Sequence, residues 1–163
     1  MGQHVPERYL DDRCDLKGTR LKLLCRTGSL PVLDRVGREA RPARWPAALR
    51  TCMACNTGEV EDVSHFMMAC PLFSAARARM LADTRQALSR SLGPLGTREF
   101  DALPREGKLV VLLGRRVEDK AVEDRIDRTV KVYFKKAWNA SDSIRIIINN
   151  KLGTNYGVFN SVR

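Results

Sequence analysis

Four residues in nineteen constrain this chain more than anything else in it: Cys52, Cys55, His65 and Cys70, spaced C-x2-C-x9-H-x4-C. Three thiolates and one imidazole form a donor set suited to tetrahedral zinc. The x2 spacing lets both sulfurs of one tight turn reach a single ion. The x4 spacing brings His65 and Cys70 round one helical turn or loop. Asn56-Thr57-Gly58 supplies turn chemistry between the pairs. A full set of four ligands leaves no position for water, so the expected role of Zn2+ is structural. The alternative is buried cysteines that fall together by chance. Such a site can contribute on the order of 10 kcal/mol of apparent folding free energy, more than a short segment gains from its own packing.

The rest of the chain reads as helix and loop around this centre. The expected fold class is mainly α: a small helical domain organised around one CCHC site, with an irregular N-terminal arm and C-terminal tail. Four segments are expected: a basic arm with short helices over 1–50, the knuckle and its following helix over 51–93, a helical region over 94–140, and a tail over 141–163. Residues 1–15 are polar and mixed in charge, which predicts loop. Leu16, Leu21, Leu23 and Leu24 predict a short helix stopped by Gly28 and Pro31, and Val32, Leu33 and Val36 a second one. Arg38 to Arg50, with Pro42 and Pro46, reads as a basic linker.

Pro71 can open a helix, and Phe73, Met80, Leu81, Thr84, Leu88 and Leu92 follow at helical spacing. Gly93-Pro94 is expected to end it, with loop over 94–107. Lys108 to Leu113 fits either a strand or a buried helix. Val117 to Asn139 carries Val122, Ile126, Val130, Phe134 and Trp138 at intervals of four, with Val117 and Tyr133 beside them. Arg125, Arg128, Lys131 and Lys135 lie off that stripe and predict a basic face, either a solvated back or a phosphate contact. Ile144 and Ile146–Ile148 predict a short strand in the tail.

Charge narrows the function. Lys and Arg number 29 against 19 Asp and Glu, a net charge of +10 over 163 residues. Eleven of the 29 fall in 1–50 and thirteen in 101–163, while 51–100 balances at five of each sign. Two basic arms therefore flank a neutral centre, which favours polyanionic partners through counterion release. No run approaches the roughly 18 apolar residues of a membrane span, and the N-terminus shows no signal-peptide core. Five cysteines, an odd number, suit a reducing compartment, the cytoplasm or nucleus.

Around the four ligands a family resemblance takes shape. Cys52-Met53-Ala54-Cys55, the acidic Glu59-Val60-Glu61-Asp62, His65-Phe66 and Cys70-Pro71-Leu72-Phe73 resemble the C-terminal zinc-knuckle region of non-LTR retrotransposon reverse transcriptases. Arg26-Thr27-Gly28 resembles the turn that often precedes it. The resemblance covers roughly residues 16–140 and implies a module that helps hold template RNA or target DNA. The polymerase and endonuclease domains of that family have no counterpart here.

Enzymatic readings find little to rest on. Tyr9-Leu10-Asp11-Asp12 imitates a polymerase metal box but lacks the apolar strands that would flank it. His4 and His65 are the only histidines, and no G-x4-G-K-[ST] loop occurs. No catalytic residue and no small-molecule substrate are expected. The expected partner is RNA or DNA, held through its phosphate backbone by Arg35, Arg38, Arg41 and Arg44 on one arm and by Arg77 and Arg79 on the helix after the metal. Phe66 and Phe73 are expected to pack the metal site. The alternative is a structural subunit of a large intracellular assembly, such as an organellar ribosome.

Overall fold

The computed structural model describes residues 15–41, 43–55, 57–114 and 119–152, with side chains described as far as Ser141. His4, the Tyr9–Asp12 imitation, Cys14, Asn56, Val117 and residues 153–163 lie outside the described residues. Within them the chain is mostly helical and contains no strand. The expected fold class holds.

Helix α1 (Leu16–Arg26) opens where the Asp15 carboxylate accepts from the Gly18 N–H at 3.0 Å. It buries Leu21 and Cys25. Its C-terminal turn tucks Leu30 and Val32 into the interior before α2 (Leu33–Glu39) begins. A 3-10 turn, Ala47–Arg50, follows within the stretch expected as linker. Asp34 binds it to α2, pairing with both Arg38 and Arg50.

Helix α3 (Ser74–Ala102) follows a 3-10 turn at Pro71–Phe73. Met80, Thr84, Ala87 and Leu88 face the core, but Leu92, expected in the same stripe, is 53% exposed. At Gly93 the backbone turns to φ 68°, ψ −167°, and helix resumes at Pro94. The expected loop over 94–107 is therefore corrected. Proline, which ends a helix from its interior, fits the first turn of the next, where its missing N–H has no partner to lose. The resumed segment folds back on α3, with Arg85 Nε 2.7 Å from the Asp101 carboxylate. Helix α4 (Arg105–Leu112) settles the 108–113 ambiguity as helix, burying Val111 and Leu112.

Helix α5 (Lys120–Leu152) is the spine. Asp119 caps it, accepting from Ala121 N–H at 2.9 Å and Val122 N–H at 3.3 Å. Val122, Ile126, Val130, Tyr133, Phe134, Ala137 and Trp138 are buried. The helix continues through Ile144–Ile148, so the expected strand is overturned. Once a helix is long, each further residue adds one hydrogen bond at little cost, while an isolated strand has no ladder to join.

The expected basic face needs a second correction. Arg125 and Arg128 are exposed and Lys135 half-buried, but Lys131 is wholly buried. Its ammonium lies 2.7 Å from one Asp127 oxygen, and Lys22 of α1 lies 2.7 Å from the other. Burial lowers the Lys22 pKa and Asp127 works against that shift. The two helices can approach this closely because residue 18 is glycine: a Cβ there would sit 2.7 Å from Lys131 Cβ.

Candidate metal centre

The strip around the four ligands is held by main-chain turns. The Cys52 N–H donates to Glu59 O at 2.8 Å, the Glu61 N–H to Arg50 O at 2.9 Å, and Thr51 bridges Val60 in antiparallel sense. This one-rung hairpin folds the first cysteine pair over its own turn. The second pair rides on a single π turn, His65–Ala69, closed by the Cys70 N–H donating to His65 O at 2.8 Å. An α-turn would separate residues five apart around the helix axis; the wider π turn places His65 and Cys70 on one side. Asp62 starts the turn, its carboxylate accepting from the His65 N–H at 2.6 Å.

The result brings all four ligand atoms within 4.8 Å of one another. Cys52 Sγ lies 4.0 Å from Cys70 Sγ, and Cys55 Sγ lies 3.4 Å from His65 Nε2. Zinc–sulfur bonds of about 2.3 Å and zinc–nitrogen bonds of about 2.0 Å imply tetrahedron edges of about 3.5–3.8 Å. The set is therefore close enough to hold a metal ion. Three of the four residues are buried, with Cys55 at the margin.

A carboxylate supports the histidine from behind. His65 Nδ1 lies 3.0 Å from Glu59 Oε2, leaving Nε2 to face the cysteines, the arrangement that fixes tautomer and ring orientation at metal sites. The hydrogen bond to His65 lowers the Glu59 pKa, aided by Arg105, 3.5 Å away. Burial pushes the Cys52 and Cys70 thiols up. It pushes Cys55 up as well, but hydrogen bonds with Thr57, Cys52 and His65 outweigh it and bring that thiol down to about 7. A divalent cation held by these residues would favour the thiolate form of all three.

Behind the ligands lies an aromatic wall. Phe66 and Phe73 are buried, as expected, with ring centroids 5.1 Å apart. Phe66 also sits 6.1–6.4 Å from Tyr133, Phe134 and Trp138 of α5. The Tyr133 hydroxyl donates to Phe66 O at 2.6 Å. The centre is thus bolted to the spine of the fold.

The arginines named from sequence are scattered over three elements. Arg35 pairs with Glu39 and Arg38 with Asp34, each one helical turn away. Arg41 reaches the carbonyls of Glu39 and Ala40, and Arg44 is exposed. Arg77 donates to Cys70 O at 2.9 Å, and so belongs to the frame of the centre; Arg79 is exposed. Glu59 is the residue sequence reasoning left without a role. Its signal was the acidic run between the ligand pairs, where Glu59 holds the ring of His65 and Asp62 holds its backbone.

Among the described residues no helix is long and apolar enough to cross a membrane. Comparison of the chain with protein-family models, with curated proteins and with solved structures finds no significant match in any of the three.

Proposed function

We propose that the chain is a zinc-stabilised nucleic-acid-binding module without catalytic activity of its own, of the kind implied by its resemblance to the C-terminal knuckle region of non-LTR reverse transcriptases. The observation that carries this reading is the convergence of Cys52, Cys55, His65 and Cys70 with Glu59 behind the histidine. Three sulfurs and one nitrogen in a compact set favour zinc over the oxygen-seeking cations. All four side chains are ligands, so the ion has no open position for a substrate, and its work is to hold the segment folded.

The nucleic-acid part rests on charge. A net +10 placed outside the neutral metal segment attracts a phosphate backbone from either side. Such contacts position a strand without reading bases. Low sequence preference and steep salt dependence follow, in a nuclear or cytoplasmic setting.

Two measurements test the reading together. Elemental analysis of the purified protein is expected to give one zinc per chain, and none in a Cys52→Ser/His65→Ala variant. Binding to RNA or DNA is expected to weaken steeply as salt rises. A metal-free native protein sinks the zinc assignment. An affinity that hardly changes with salt sinks the phosphate-backbone assignment.

A further inference from the structure

We infer that the exposed ridge of α5, made by Arg125, Arg128 and Lys136 and extended by Lys17 of α1, is the surface along which a nucleic-acid phosphate backbone lies. The inference rests on the nucleic-acid-binding reading above and names its site. Arg125, Arg128, Val132 and Lys136 are all exposed. At 100° per residue they fall within an arc of about 80°. From Arg125 to Lys136 the ridge runs about 16 Å along the helix axis, the length of roughly five phosphates on one strand of a duplex. Its middle residue, Val132, is uncharged. Asp124, the nearest acid on α5, lies about 40° outside the arc on the side that faces α1.

A second helix adds to the same ridge. Exposed Lys17 donates to Asn139 Oδ1 at 2.8 Å, which sets its ammonium beyond Lys136 at the ridge's far end. On the ridge, Arg128 Nε donates to the Asp124 carbonyl of its own helix at 3.3 Å. Several basic groups elsewhere are bound to acids or to the metal frame: Arg38 and Arg50 hold Asp34, Arg77 holds Cys70 O, and Lys22 and Lys131 hold Asp127. Several cations on one rigid face also match a phosphate backbone better than isolated ones on separate turns, because the helix has already fixed their spacing.

The test measures fluorescence anisotropy of the full chain on a labelled uridine-rich RNA and on a random-sequence DNA duplex, across a salt series. The variants are R125E/R128E/K136E, its neutral counterpart R125Q/R128Q/K136Q, and R41E/R44E for comparison. The expected result is a loss of at least about tenfold for the charge reversal, with R41E/R44E within about threefold of the wild type. The neutral variant is expected to flatten the salt slope by about 2 on RNA or about 3 on duplex DNA. Whichever probe binds more tightly identifies the source of the phosphates. Wild-type binding that all three ridge substitutions leave unchanged overturns the ridge and leaves the broader reading standing. A wild-type chain that binds neither probe at low salt overturns both. Stronger displacement of RNA by polyglutamate than by unlabelled RNA makes the ridge an acidic-protein surface and overturns the inference.

Discussion

Between Thr51 and Phe73 the chain makes one β-bridge and short single turns, whereas α5 alone runs from Lys120 to Leu152. Both regions bury their key side chains, by different physical means. The α1–α5 pair is cemented by a continuous apolar stripe and by side chains more than a hundred residues apart in sequence, Lys22 and Asp127. The metal segment places its ligands through contacts a few residues long, such as Asp62 on the His65 N–H. Segments this short do not nucleate stable helix or sheet in water. The difference teaches that a segment with so little packing of its own leans on the aromatic wall behind it and, on the proposed reading, on an ion at its centre, while order in α5 depends on packing.

The largest test of this contrast is removal of the metal. Chelation, or Cys52→Ser, is expected to withdraw on the order of 10 kcal/mol of apparent folding free energy. Amide exchange is expected to rise by orders of magnitude across 52–70, while Val130 to Trp138 keep measurable protection. Equal loss of protection in both regions would show one cooperative unit and break the contrast.

The reciprocal experiment strikes the helical pair. Asp127→Ala leaves the Lys22 and Lys131 ammonium groups buried against each other without the carboxylate they share. Breaking a buried pair from one side costs about 3–5 kcal/mol. Urea denaturation is expected to show that loss, with metal content still at one ion per chain. Loss of metal in this variant would mean that the helices hold the centre rather than the reverse.

What was legible in the sequence follows the same division. The four ligands could be read because their chemistry lies within nineteen residues, and α1, α2 and the stripe of α5 because helical periodicity is local. Lys131 was misread for a corresponding reason. Periodicity places a side chain around its own helix axis, but Lys131 is buried by α1, arriving from 105 positions or more upstream at a close approach that Gly18 permits. Leu92 was lost to the interior when the chain turned at Gly93, an event that Gly93-Pro94 announced as an ending and that proved to be a corner. The residues Ile144–Ile148 favour strand by composition, but a neighbouring strand is a property of the whole fold, and none is present among the described residues.

A smaller effect separates the metal's own support from the fold. Glu59→Gln keeps the size of the side chain but weakens its hold on His65 Nδ1, 3.0 Å away. Substitutions at such supporting positions lower metal affinity about 10–100-fold. Competition with a chromophoric chelator is expected to show that loss while the helical circular dichroism of the metal-saturated protein stays unchanged. An unaltered affinity would make Glu59 a surface carboxylate held by Arg105, and the histidine self-supporting.

The smallest effect sets cysteine against cysteine. Cys25 is buried in α1, and burial pushes its thiol well above the ordinary 9.0. Its neutral form is thus the native one, and above pH 9 the unfolded chain binds fewer protons than the folded one at this residue. Stability then falls as pH rises, with a limiting slope of about 1.4 kcal/mol per pH unit. Thiolates bound to a metal would run the other way: folding with metal would release their protons, so stability would climb as pH approaches 9 and level off beyond it. Cys25→Ala removes only the first behaviour. Between pH 8.5 and 10 the variant is expected to gain about 1 kcal/mol on the wild type in urea denaturation, and in the chelated protein the same gain should persist, because Cys25 belongs to the packed helices and not to the centre. A gain that vanished on chelation would tie Cys25 to the metal segment through the core and erase the boundary between the two regions.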